Sequence, residues 1–151
     1  MEKPEKPFIL LVDDNEPTCT LITALLQKDF EIDVAIDGRE AIEKLRTKTY
    51  AAIILDLLMP YIDGYGVLDY LRTNNPALLR HVLVVSAAIS RNEIVRVQQY
   101  NVCAFISKPF EVETLLSAVK QCVATPGGSG GKIFSSGVIF LLADLLSHRL
   151  M

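Results

Sequence analysis

The sequence has few cysteines and histidines, the residues that build thiolate metal sites and disulfide frameworks. Its 151 residues include three cysteines and two histidines. The cysteines are widely spaced in apolar stretches, which matches neither a zinc pattern nor a disulfide framework. We therefore expect small buried hydrophobic residues in a reducing cytosol. His81 and His148 have no carboxylate or cysteine pattern around them, so we expect surface roles for both.

Long apolar runs and an excess of basic residues are also missing. No segment reaches the roughly 20 apolar residues of a membrane span, and the apolar run in MEKPEKPFILLVDD is too short for a signal peptide. The net charge is −3 with both signs interspersed, which argues against nucleic acid as the main partner. We expect a cytoplasmic protein without a membrane or nucleic-acid partner.

Apolar runs alternate with segments of helical periodicity along the first 124 residues. Buried strands are predicted at residues 8–12, 50–55, 82–85 and 102–106, and a half-buried edge strand at 31–36. The helices that follow them include residues 93–100 and 112–123. This order predicts an α/β fold, a doubly wound five-stranded parallel sheet with helices on both faces.

Polar residues follow four of these strands. Asp13 and Asp14 follow the first strand, Asp56 the third, Ser86 the fourth and Lys108 the fifth. Ligands of such sheets bind beyond the carboxyl ends of the strands. A strand order of 2-1-3-4-5 would place the first and third strands side by side and bring the three carboxylates together.

Three neighbouring carboxylates repel one another, so either their pKa values rise or a cation lies among them. Oxygen ligands at a solvent-open edge suit Mg2+, which is readily shared with a phosphate. Lys108 adds a positive charge that can reach a phosphoryl oxygen, and Ser86 adds a hydroxyl donor. An aspartate can itself be the nucleophile. Asp56 is the best placed, as the only carboxylate at the end of its strand.

Five short segments in this order resemble the receiver domain of two-component response regulators. They are LVDD at 11–14, LDLLMP at 55–60, DG at 63–64, SA at 86–87 and KPF at 108–110. The resemblance covers residues 7–124 and implies a flavodoxin-like or CheY-like fold with strand order 2-1-3-4-5. It implies that Asp56 accepts phosphate from a histidine kinase or phosphotransfer protein.

The same resemblance implies a metal site. Asp13 and Asp14 would hold Mg2+, Asp14 directly, with help from Asp56 and the backbone carbonyl of Leu58. Catalysis would be limited to phosphorylation and slow dephosphorylation of Asp56. The protein would then be a signalling switch and not an enzyme acting on other substrates.

The remaining implied residues bind the phosphoryl group and respond to it. Ser86 and Lys108 would bind the phosphoryl oxygens, and the Lys108–Pro109 bond would be cis. The family's aromatic switch position falls on Phe105. Phosphate drawing in Ser86 would free space for that ring to turn inward and change the surface of the fourth helix, fifth strand and fifth helix. Phe105 could equally be a plain core residue.

Two other functions stay open at this point. A phosphohydrolase of the haloacid-dehalogenase type also uses an aspartate nucleophile, but it needs a second aspartate two residues later, where this chain has Leu58. A phosphorylation-independent scaffold would work through protein contact alone. No DNA-binding segment follows the predicted receiver, so we expect output through a downstream protein partner.

The end of the chain differs in character. We assign residues 1–124 to the receiver domain, 125–131 (TPGGSGG) to a flexible linker of engineered type, and 132–151 to an amphipathic helical peptide derived from a partner. We expect the helix to dock in a hydrophobic groove of the receiver, first at the fourth helix and fifth strand, second between the first and fifth helices. A native sixth helix, or a kinase-like motif around His148, are alternatives.

Overall fold

The computed structural model of the protein describes residues 5–87 and 90–125. Five strands, β1 to β5, lie at Phe8–Val12, Glu31–Ala35, Ala52–Leu55, Val82–Ser86 and Ala104–Ser107. Five α-helices, α1 to α5, lie at Glu16–Leu26, Gly38–Thr47, Gly64–Asn74, Arg91–Gln98 and Val112–Ala124, and a 3-10 helix spans Pro76–His81. The predicted C-terminal helix and residues 126–131 of the predicted linker lie outside the described residues.

The strands form one parallel sheet in the order β2-β1-β3-β4-β5. The predicted fold class and strand order are therefore confirmed, with β2 at an edge as its alternating pattern indicates. Val12 of β1 is in register with both Ala35 of β2 and Leu55 of β3. This register brings the carboxyl ends of the three strands level with one another.

Both faces of the sheet are buried, and successive strand residues alternate between them. Leu10 and Ile53 belong to one core, which α2, α3 and α4 cover. Ile9 and Ile54 belong to the opposite core, which α1 and α5 cover. Because neither face of the central strands meets water, the sequences of these strands are unbroken apolar runs. Among the described residues, no helix is long and apolar enough to cross a membrane.

Several element boundaries differ from the predicted ones by one or two residues. Helix α4 begins at Arg91 because the Ser90 side chain caps it, accepting a hydrogen bond of 3.1 Å from the Glu93 N–H. It ends at Gln98, two residues before the predicted end. Strand β5 starts two residues later than predicted, at Ala104. Neither shift moves a predicted site residue off the carboxyl edge of the sheet.

All three cysteines are buried, as predicted, but the expectation that none forms a disulfide is wrong for two of them. Cys103, just before β5, and Cys122, in α5, form a disulfide across 19 residues of sequence. Only the packing of α5 on the sheet brings them together, and no spacing rule signals it. Cys19 is buried and free, as predicted. His81 is half-buried instead of at the surface, with Nδ1 2.7 Å from the backbone oxygen of Cys122.

This pairing predicts a definite thiol count. Burial raises the pKa of Cys19 to about 11, and the nearby charge of Asp13 adds to the effect. We expect no rapid reaction of the native protein with a chromogenic disulfide reagent at pH 8. The denatured, unreduced chain should show one thiol, and the reduced chain three. Three thiols before reduction would contradict the disulfide between Cys103 and Cys122.

Candidate functional site

Three carboxylates meet at the carboxyl edge of the sheet. Asp13 directly follows β1 and Asp56 directly follows β3, and these strands are neighbours. The Asp56 N–H donates to the Val12 oxygen at 2.9 Å, which extends the pairing to the site itself. Asp13, Asp14 and Asp56 each place a carboxylate oxygen within 4.8 Å of the others. Asp13 and Asp56 are buried, whereas Asp14 is exposed and opens the cluster to solvent.

Lys108, which follows the edge strand β5, contacts this cluster. Its Nζ donates to Asp13 Oδ2 at 2.7 Å and to Asp56 Oδ2 at 3.2 Å. Lys108 follows β5, and its N–H donates to the backbone oxygen of Ser86 at 3.0 Å. The peptide bond to Pro109 is cis, as the resemblance implies. The site therefore contains three carboxylates and one ammonium, which contacts two of them, and it has an excess of negative charge.

The pKa values of Asp56 and Lys108 are both raised, which disfavours the charged form of Asp56 and favours that of Lys108. Burial raises the pKa of Asp56, and the Leu58 N–H and the charge of Lys108 only partly offset that effect. Burial alone would lower the pKa of Lys108, but the hydrogen bond to Asp13 and the charge of Asp56 outweigh it and raise that pKa. Lys108 therefore stays charged, whereas burial opposes the ionisation of Asp56.

The donor set fits Mg2+. Carboxylate oxygens are the ligands that this ion prefers, and a divalent cation would neutralise the charge excess that Lys108 leaves. Leu58 lies at the same place, because its N–H donates to Asp56 Oδ1 at 3.1 Å. The role of its carbonyl as a further ligand stays a prediction.

Ser86 and Phe105 lie on the neighbouring strands. Ser86 ends β4 and is fully buried. Phe105 of β5 is in register with Val84, and both belong to the core beneath α4. Ser86, two residues after Val84, points to the same face of the sheet as Phe105. The Phe105 ring is 2% exposed, so it already lies inward in this structure.

Sequence reasoning missed two groups that hold Asp13. The Asn15 N–H donates to Asp13 Oδ1 at 2.9 Å, and the Asn15 side chain caps α1 by accepting from the Thr18 N–H at 2.9 Å. Cys19, one turn into α1, donates its thiol to the Asp13 carbonyl at 3.3 Å. An asparagine before Glu-Pro is a recognisable helix cap, whereas nothing in the sequence indicates the thiol contact.

Comparison with known proteins agrees with this geometry. Residues 9–120 match the family model described as the response regulator receiver domain. The chain is 32% identical over 114 residues to the Hybrid signal transduction histidine kinase D of Dictyostelium discoideum, covering 76% of this chain and 7% of that protein. It is 29% identical over 137 residues to the Regulatory protein VanRB of Enterococcus faecalis, covering 90% of this chain and 60% of that protein.

The chain thus spans between 7% and 60% of the length of these two curated relatives. Among solved structures, the receiver domain of the Francisella response regulator 1452 superposes with a TM-score of 0.72 at 28% identity. The match covers 78% of this chain and 97% of that domain. The region matched by the family model contains all the predicted site residues and, apart from Phe8 at the start of β1, every residue of the five strands. The chain therefore belongs to the response regulator receiver domain family of two-component signalling.

Proposed function

We propose that Asp56 is the phosphoacceptor of this receiver domain and that Asp13, Asp14 and Asp56 hold Mg2+ beside it, with the Leu58 carbonyl as a further ligand. The observation that carries the proposal is the position of Lys108. Its ammonium contacts both buried carboxylates, 2.7 Å from Asp13 and 3.2 Å from Asp56. A lysine held there can donate to the Asp56 carboxylate before the reaction and to an incoming phosphoryl oxygen during it.

In the proposed step, a carboxylate oxygen of Asp56 attacks the phosphorus of a phosphohistidine on a histidine kinase or phosphotransfer protein. An O–P bond forms and the P–N bond breaks, and the released imidazole nitrogen keeps the electron pair and takes up a proton. Bound Mg2+ would supply neutralisation of the phosphoryl charge. Lys108 and the Ser86 hydroxyl would donate hydrogen bonds to the phosphoryl oxygens. In the later hydrolysis, water attacks the phosphorus and the bond between the Asp56 oxygen and phosphorus breaks. The products are the Asp56 carboxylate and inorganic phosphate.

The response to phosphate would pass from Ser86 to Phe105. Their side chains lie on one face of adjacent strands, and the Phe105 ring packs in the core that α4 covers. Movement of Ser86 toward a phosphoryl group would therefore alter the packing of Phe105 and the position of α4. The surface formed by α4, β5 and α5 would carry that change to a downstream protein. That residues 132–151 represent such a partner stays a prediction, since they lie outside the described residues.

The test is phosphorylation by a small phosphoramidate donor in the presence of Mg2+, measured by intact mass. We expect a single adduct of about 80 Da on the wild-type chain and none on Asp56→Asn. Asp63→Asn is the matched control, because Asp63 is an exposed carboxylate that caps α3, and its adduct should equal that of the wild type. An adduct on Asp56→Asn, or none on the wild type, would contradict the assignment and leave the scaffold function.

A further inference from the structure

The loop between β3 and α3 carries Leu58, and its backbone is held at both ends. At its start, the Leu58 N–H donates to Asp56 Oδ1 at 3.1 Å. At its end, the Gly64 N–H donates to the Leu57 oxygen at 3.1 Å. A Cβ added to Gly64 would lie 2.5 Å from the Asp56 backbone oxygen, so the start of α3 packs against the backbone of the acceptor residue. The geometry of this loop therefore sets the surroundings of Asp56.

Ile62, near the end of this loop, is enclosed by the first turns of two helices. The Gly38 N–H, at the start of α2, donates to the Ile62 oxygen at 3.1 Å. A Cβ on Gly38 would come within 2.2 Å of that same oxygen. On the other side, a Cβ on Gly66 in α3 would come within 2.2 Å of Ile62 Cγ2. Neither helix can carry a side chain at these positions while Ile62 keeps its place.

The residue before Ile62 is held in a less common conformation. Tyr61 has a φ of 65°, in the left-handed region that a residue with a Cβ seldom adopts. Its ring is packed by the Arg39 guanidinium of α2, 4.3 Å from the ring centre. Such a turn persists only where its surroundings enforce it. Here α2 provides that support through Arg39 and Gly38.

We propose that Ile62 is a positioning residue for the Asp56 site, and that Gly38 and Gly66 are glycines because they make room for it. Seated between α2 and α3, Ile62 fixes the loop so that the Leu58 backbone stays at Asp56. It contacts none of the reacting groups and acts through the loop. The expected effects on Mg2+ binding and phosphorylation rest on the proposed function. The position of the Leu58 amide can be measured without Mg2+ or phosphate.

The test uses the different atoms that the two glycines face. Gly66→Ala meets the Ile62 side chain, and Ile62→Ala would leave Ile62 Cβ at 3.6 Å and Asp63 Oδ1 at 4.0 Å, both ordinary contacts. Gly38→Ala meets the Ile62 backbone oxygen at 2.2 Å and Ile62 Cβ at 2.7 Å, and Ile62→Ala removes neither of them, although it does remove Cγ2 at 2.7 Å. Ile62→Ala alone should also displace the loop, because it removes the side chain that fixes it. In the double variant Gly66→Ala/Ile62→Ala the added methyl lies in the space that Ile62 Cγ2 vacates, so it should recover most of what either single variant loses. Gly38→Ala/Ile62→Ala should recover nothing and is the matched control.

Three properties of the full chain are measured: the Leu58 amide shift by NMR without metal, Mg2+ affinity by calorimetry, and the initial phosphorylation rate. For Gly66→Ala we expect a displaced Leu58 amide and Mg2+ affinity weaker on the order of tenfold, with most of the loss recovered in the double variant. The rate should fall at low Mg2+ and approach the wild-type value at saturation. Circular dichroism verifies that each variant is folded.

An unchanged Leu58 amide and Mg2+ affinity in folded Gly66→Ala would overturn the positioning role. If Ile62→Ala fails to reverse the loss in Gly66→Ala, the positioning role is overturned as well. The alanine would then act on α3 itself, an effect that does not depend on residue 62. If the wild type itself bound no Mg2+ and accepted no phosphate, the proposed function would fail. The Leu58 amide would still decide separately whether Ile62 positions the loop.

Discussion

Addition of Mg2+ is expected to raise the unfolding temperature of the wild-type protein and to leave that of Asp14→Asn almost unchanged. A ligand that binds only the folded chain at one hundred times its Kd stabilises it by about 2.7 kcal/mol. Because Asp14 is exposed, its replacement removes a proposed metal ligand without opening a cavity or stranding a buried partner. Calorimetric scans with and without Mg2+ measure the difference directly.

Asp29→Asn is the matched control for this experiment. Asp29 is also an exposed carboxylate, but it lies in the turn before β2 and outside the acidic cluster. Its variant should keep the full rise in unfolding temperature. An equal rise in Asp14→Asn and the wild type would show that Asp14 is not a ligand, and no rise in any of them would remove the magnesium site.

Replacement of Lys108 by methionine is expected to destabilise the metal-free protein at neutral pH. Methionine keeps most of the apolar stem but leaves Asp13 and Asp56 buried without their cation. We expect a loss of about 2 kcal/mol, less than for a fully buried pair, because the Lys108 side chain is 20% exposed. Denaturant unfolding in EDTA measures it, and Mg2+ should restore part of the loss. Lys120→Met, an exposed lysine of α5, is the control and should be near neutral.

The pH dependence distinguishes this electrostatic effect from lost packing. Burial raises the folded-state pKa of Asp56 above its unfolded value, so stability falls as the pH rises through that range and the carboxyl ionises. In EDTA at pH 7, Asp56→Asn should therefore be more stable than the wild type, on the order of 1 kcal/mol. The gain should vanish below about pH 4, where both states are protonated. The loss in Lys108→Met should shrink over the same range, and a loss independent of pH would indicate packing alone.

How far the sequence predicts the molecule differs from element to element. The sheet was predictable because β1, β3 and β4 are buried on both faces and are therefore written as continuous apolar runs. The ends of α4 and β5 were less predictable. A cap such as Ser90 is a local contact that the pattern of apolar residues does not indicate. The disulfide was not predictable, since it depends on how α5 packs on the sheet.

The sequence by itself determined which residues stand at the carboxyl ends of the strands, because strand length and polarity are local properties. It could not determine the distances of Lys108 from Asp13 and Asp56, residues that lie 95 and 52 positions away along the chain. Nor could it reveal that Ile62 lies between Gly38 and Gly66. Those contacts join strands and helices remote in the chain, so only the packing of the whole sheet and its helices decides them.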